Sequence, residues 1–197
     1  MTDDPEGPSI LPMLSRSGLV GLLTLALLQV SSGAAGAGET EPGRGEILSA
    51  ARSVMSAAGL TTFISLDQQG HPQARTMDPF PPEEDFTVWM GTKRSTRKVL
   101  QIQKDSRTTL HYFDPAGPSY VTLIGHAEIV DDRAENLRHF KPAWESFYQD
   151  GPRGPDYLLI RFRPFRLEMV SIEHGIAADP LSKRPAILEL ENEAPHR

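Results

Sequence analysis

The chain has 197 residues, 23% of them charged and 39% hydrophobic, with a formal net charge of −6 and no cysteine. That length supports one sizeable core. Mildly acidic, interspersed charge offers no basic field to nucleic acid, and the missing thiol excludes disulfides, cysteine nucleophiles and cysteine-held metal clusters.

Arg16 precedes the apolar run Leu19 to Val30, and the small residues after it end in Ala35-Gly36-Ala37. These are the n-region, h-region and A-x-A site of a secretory leader, so residues 1–37 are expected to be a removable signal peptide. The run is shorter than the ~20 residues that span a bilayer. The expected product is periplasmic or secreted, with no membrane contact after cleavage, and is membrane-anchored if the signal stays uncleaved. Asp3, Asp4 and Glu6 are unusual ahead of a leader, which leaves Met1 and Met13 as alternative starts. Residues 38–44 read as a linker.

The folded domain is expected over residues 45–178. Ile47, Leu48, Ala51, Val54, Met55 and Ala58 recur at helical spacing, and Gly59 stands where a left-handed cap would end the helix. Thr61 to Asp67 is β-branched and alternating, with His71 to Met77 as its hairpin partner. Pro79, Pro81 and Pro82 forbid regular structure until Asp85, after which Phe86 to Met90 reads as a short strand bounded by Gly91. A helix is expected from Ser95 to Lys104, with Val99 and Ile102 on one face and a hydroxyl residue as its N-cap.

Thr108 to Phe113 is β-like and ends at a Pro/Gly turn. Tyr120 to Val130 is the clearest strand, with Val121, Leu123, Gly125, Ala127 and Ile129 facing one way and Gly125 marking a bulge or bend. Asp132 to Glu135 looks like a capping box opening a short helix, and Pro142 opens another through Tyr148. Strands over Tyr157 to Arg163 and Phe165 to Ile172 are separated by Pro164, and residues 179–197 read as a loosely held polar tail. Six or seven strands with short helices inserted predict a mainly β (α+β) fold, an antiparallel barrel closed or partly closed to remove its edges.

There is no G-x-S-x-G, H-E-x-x-H or Walker A motif. His111 and His126 fall on strands and could meet across a sheet, but ordinary histidines are the favoured reading; Glu83 to Asp85 reads as a solvated loop, and no metal site is expected. What remains is basic: Arg75 late in the second strand, then Lys93, Arg94, Arg97 and Lys98 crowding the start of the Ser95 helix. Free backbone N–H groups and the positive dipole end there would suit a phosphate, with Arg as a fork and Lys as a point charge. On physics alone an exposed, solvated helix start is an equal reading.

At these residues the chain resembles the pyridoxamine 5′-phosphate oxidase-like FMN-binding split barrels. Arg75-Thr76-Met77 matches that family's strand Arg and apolar run. Met90 to Lys98 matches its aromatic–aromatic–Thr, three residues, Ser-x-Lys, with Met90-Gly91 in place of the aromatic pair and Thr96 in place of Ser. Gly70-His-Pro-Gln-Ala-Arg75 and Tyr120 to Asp132 are similar to the general stress protein branch, and the likeness runs from about residue 45 to 174.

The resemblance implies a split β-barrel with FMN in a groove at a homodimer interface. Arg75, Thr96, Arg97 and Lys98 would hold the phosphate, Thr76 and Met77 would line the ring, and Thr92 would lie near the ribityl chain or phosphate. It implies an exported flavin-dependent oxidoreductase of an unknown small-molecule substrate, with no side chain assigned as catalytic acid or base. The alternatives are a deazaflavin in place of FMN, or a non-catalytic flavin or haem carrier on the same barrel. The late Arg-x-His of the true oxidases is missing, so turnover of pyridoxamine 5′-phosphate itself is not expected.

Overall fold

The computed structural model describes residues 42–191, all within the second of the chain's two units, Thr40–Arg197. The leader and most of the linker lie outside the described residues, as does the end of the tail. No helix among the described residues is long and apolar enough to cross a membrane.

The first helix, α1 (Arg44–Ala58), turns Ile47, Ala50, Ala51, Val54 and Met55 inward. It stops where the sequence requires, because Gly59 takes φ 66° and its N–H reaches the Met55 carbonyl at 3.2 Å. A hairpin of β1 (Thr61–Leu66) and β2 (Pro72–Met77) follows, in the register Thr61 to Met77. Then come β3 (Val88–Lys93), α2 (Arg97–Lys104), β4 (Arg107–Asp114), β5 (Ser119–Val130), α3 (Arg133–Arg138), β6 (Tyr157–Val170) and β7 (Ala186–Glu189).

The seven strands of the described residues form one antiparallel sheet in the order β2-β1-β4-β5-β6-β3, with β7 also pairing β6. β3 and β7 occupy different lengths of β6: β3 takes Tyr157 to Phe162 and β7 takes Arg166 to Met169. Among the described residues, the chain just past β2 meets β3 through an isolated bridge from Pro79 to Met90, and no ladder joins β2 itself to β3. The sheet is therefore curled but not closed, which makes it a split barrel.

One core fills the barrel and meets α1, with Phe63, Met90, Leu110, Tyr112, Leu123 and Phe162 among its buried members. A second lies on the other face of β3 and β6, where Trp89, Trp144, Tyr157 and Leu159 pack together. The β3–β6 sector is thus covered on both sides, which is why Val88, Trp89 and Met90 are all buried while β5 alternates cleanly.

Several sequence expectations are corrected. β3 does not stop at Gly91 but runs through it to Lys93, paired with β6; a β-carbon at Gly91 would lie 2.7 Å from Trp144, so the glycine makes room for an indole. Pro164 does not divide two strands. It sits inside the single strand β6, opposite Gly125, where the register shifts and the ladder skips Phe165. Gly125 itself is obligatory, since a β-carbon there would stand 2.1 Å from the Arg163 carbonyl oxygen. The segment from Pro142 makes only a 3-10 turn over Pro142–Trp144, not a helix to Tyr148. The stretch beyond Asp179 carries a strand that its polar composition concealed, β7, with Leu188 packed against the main core.

Candidate functional site

β2 is half-buried and offers its outer edge to the cleft that the split leaves open. Arg75 projects from it, and Arg97 and Lys98 open α2 across the cleft. Arg75, Thr76, Met77, Thr96, Arg97 and Lys98 surround one cavity of about 410 Å³. Thr92 lines an adjoining chamber of about 470 Å³ that shares Thr76, Met77, Thr96 and Lys98 with the first. All seven residues singled out in the sequence are therefore gathered into two connected hollows.

The cationic hollow is built around its charges. The Arg75 guanidinium donates to the Ser65 hydroxyl (2.6 Å) and to the Gln101 amide oxygen (3.1 Å), and Ser65 donates to the same oxygen (2.8 Å). This clamp fixes the fork without neutralising it. Lys98 donates to the Thr92 hydroxyl (3.2 Å). The Thr96 hydroxyl gives its proton to the Lys93 carbonyl (2.8 Å), so in the 3.0 Å Thr92–Thr96 contact Thr92 is the donor. Thr96 stands at the N-cap of α2 without a side-chain bond to the helix amides; the Val99 N–H bonds back to the Thr96 carbonyl (3.0 Å), and the other first-turn N–H groups have no side-chain cap from Thr96.

No carboxylate among the described residues pairs with Arg75, Arg97 or Lys98. Burial first, and then the neighbouring Arg97, pull the Arg75 pKa below its ordinary value. Burial, then Arg75 and Arg97, do the same to Lys98. Three cations kept together against their own repulsion beside an uncapped helix start form a site that an anion would relieve.

The second hollow is aromatic. Ala143, Trp144, Phe147 and Tyr148 line it together with Met77 and Gly91. Trp144 is 7% exposed and is pinned by its indole N–H, which donates to Asp78 Oδ2 at 2.7 Å. Asp78 also receives Lys141 at 2.5 Å. Phe147, 64% exposed, stands at the rim. Burial, with the charge of Asp156, pushes the Tyr148 hydroxyl up to about 12, so it stays neutral.

Reading the sequence missed Ser65, Gln101, Trp144, Phe147 and Tyr148. Ser65 carried a signal: it shares the inward face of β1 with Thr61 and Phe63, and a polar residue on a buried face needs a polar partner. The aromatic wall sits on an irregular connection, where no periodicity reports which way a ring points. His111 and His126 do not meet: His111 contacts Thr122 (2.9 Å) and His126 contacts Ser106 (3.0 Å). No cluster of three metal-ligating side chains occurs among the described residues.

The family model described as "Pyridoxamine 5'-phosphate oxidase like" matches residues 50–169. No curated protein matches the chain. Among solved structures, a protein related to general stress protein 26 from Clostridium acetobutylicum is similar at TM-score 0.60 and 19% identity, covering 73% of this chain and 93% of its own. An FMN-binding, pyridoxamine 5′-phosphate oxidase-related protein from Nostoc punctiforme gives TM-score 0.50 at 15% identity, over 78% of this chain and 99% of its own. A heme-binding protein from Mycobacterium smegmatis gives 0.54 at 18%, over 76% and 59%. At these identities the structures speak for the fold; with the family match over most of the described domain, the chain belongs to the pyridoxamine 5′-phosphate oxidase-like family of split barrels.

Proposed function

We propose that this protein binds FMN in the two connected hollows and is an exported flavin-dependent oxidoreductase acting on a small molecule. One observation carries the reading: three unpaired cations at an uncapped helix start adjoin a chamber walled by Trp144, Phe147 and Tyr148. A phosphate joined through a chain to a flat aromatic group would find cations in one hollow and rings in the adjoining one. Arg75, Thr96, Arg97 and Lys98 would hold the phosphate, Thr92 the chain next to it, and Thr76 and Met77 the ring.

Bound flavin supplies hydride and single-electron chemistry, so the protein's share is orientation, electrostatics and a slot for substrate. Asp78, fixed between Lys141 and Trp144, holds the aromatic wall in place, and Tyr148 offers a neutral hydroxyl. A deazaflavin carrying phosphate would meet the same groups. Haem would ask for an axial His, Met, Tyr or Cys; the chamber has Met77 and Tyr148 but no histidine, and its cations suit a phosphate better than a macrocycle.

A homodimer is part of the proposal. The hollows are open on one side and Phe147 is exposed at the rim, so a second copy would complete the enclosure. Export rests on the leader pattern of residues 1–37. The visible spectrum of the purified mature protein tests the reading: flavin bands, on isolation or after adding FMN, are expected. A Soret band would point to a haem carrier, and neither would point to a domain without a cofactor.

A further inference from the structure

On the basis of the flavin binding proposed above, we infer that Trp144 is the residue of the aromatic chamber that recognises the flat end of the ligand, standing in for a ring that β3 itself lacks. β3 carries Met90-Gly91 where the family motif carries two aromatic residues. Met90 is buried in the barrel core, so of the two only position 91 lines the chamber, and the residue there has no side chain.

The place that a side chain at 91 would fill is taken by another part of the chain. A β-carbon on Gly91 would stand 2.7 Å from Trp144 Cζ3, 3.1 Å from Trp144 Cε3 and 3.0 Å from Tyr157 Cε2. The benzene half of the indole thus lies over Gly91, delivered by the Pro142–Trp144 turn rather than by the strand. The two positions are interdependent: a larger residue at 91 excludes the indole, and loss of the indole uncovers a glycine on the chamber wall.

A side chain reaching in from a turn serves a ligand well only if it is already held still, and this one is. Its N–H donates to Asp78 Oδ2 at 2.7 Å, and Asp78 follows directly on Met77, which lines the same chamber. The Lys141 ammonium lies 5.2 Å from the ring centre, and Phe80 and Phe140 meet the indole edge-on at 5.5 and 6.3 Å. Trp144 is 7% exposed, yet it lines the chamber with Met77, Gly91 and Thr92, so it presents a small, rigid apolar surface to a ring that enters. The cations answer to the phosphate and the indole to the ring, so the two ends of the ligand can be tested apart.

FMN and riboflavin are the probes, titrated against the full mature protein as wild type, Trp144→Ala, Trp144→Ala combined with Gly91→Phe, Trp144→Phe and Lys98→Met. Trp144→Ala is expected to weaken both flavins by the same factor, on the order of tenfold, whereas Lys98→Met weakens FMN alone. Adding Gly91→Phe to Trp144→Ala should recover most of the loss, because a ring returns from the strand. Trp144→Phe keeps a ring in place and should still bind both flavins, but the bound flavin should fluoresce more brightly, since an indole in contact quenches an excited flavin by electron transfer and a phenyl ring does not. Equal affinities in wild type and Trp144→Ala, a loss confined to FMN, no recovery with Gly91→Phe, or no brightening in Trp144→Phe would each overturn the inference and leave the phosphate site as it stands. If Trp144→Ala does not fold, the brightness of flavin bound to Trp144→Phe decides. Wild-type protein that binds neither flavin would remove the flavin reading itself, and this inference with it.

Discussion

Replacing Lys98 by methionine keeps the aliphatic stem of a half-buried side chain and removes one of three charges aimed at the cationic hollow. In the unliganded protein the loss is small in both directions. The 3.2 Å bond to Thr92 disappears, but so does repulsion from Arg75 and Arg97. Burial and those two arginines hold the Lys98 pKa below its ordinary 10.5. The stability linked to this group is thus present above the unfolded value and lost as pH falls through the lowered folded one, so at neutral pH the charge is a liability that the variant removes. Partial solvent exposure keeps this gain within about 1 kcal/mol, or about 2–4 °C in melting temperature for a domain of this size. Binding of a phosphate-bearing ligand responds differently. One charge-assisted contact is worth roughly 1.5–3 kcal/mol, which weakens FMN about ten- to 150-fold. Flavin fluorescence titration at neutral pH, with thermal melts of the unliganded proteins, reads both effects. Equal FMN affinities would refute the phosphate assignment, and a collapse of the unliganded fold would make Lys98 a structural residue.

Gly91→Ala should push a β-carbon against Trp144, so FMN affinity is expected to fall while the domain loses about 1–3 kcal/mol, and titration with a denaturation curve checks both. Gly125→Ala meets backbone rather than a side chain and should destabilise by about 3 kcal/mol or more, seen as a lower denaturation midpoint with unchanged slope. Burial lowers the His111 pKa below 6.5, so its contribution to stability is present above that value and lost as pH falls through the folded pKa; His111→Asn should flatten the acid limb of a melting-temperature profile. N-terminal sequencing of exported protein should find Gly38 first, and retention of Leu19 to Val30 would contradict a cleaved leader.

Local patterns carried much of the fold. The alternation of β5, the apolar stripe of α1 and the stop at Gly59 are nearest-neighbour properties, and each is written in a few consecutive residues. Pro164 misled because its missing N–H usually ends a strand, whereas here it falls at a bulge that depends on Gly125, far away in sequence. β7 was hidden for a similar reason: Ala186 to Glu189 becomes a strand through the edge that β6 offers, not through its own composition. At the site, cations on α2 and β2 were legible because charge and spacing need no tertiary context. The clamp of Ser65 and Gln101 and the wall of Trp144 and Tyr148 depend on which elements the barrel brings together, and the sequence alone does not say.

The most direct test compares FMN with riboflavin, which has the same ring and chain but no phosphate, in titrations of one preparation of the unliganded protein. If Arg75, Arg97, Lys98 and the start of α2 hold a phosphate, at least two charge-assisted contacts separate the ligands, and FMN should bind on the order of a hundredfold tighter or more. Comparable affinities for the two would contradict the account.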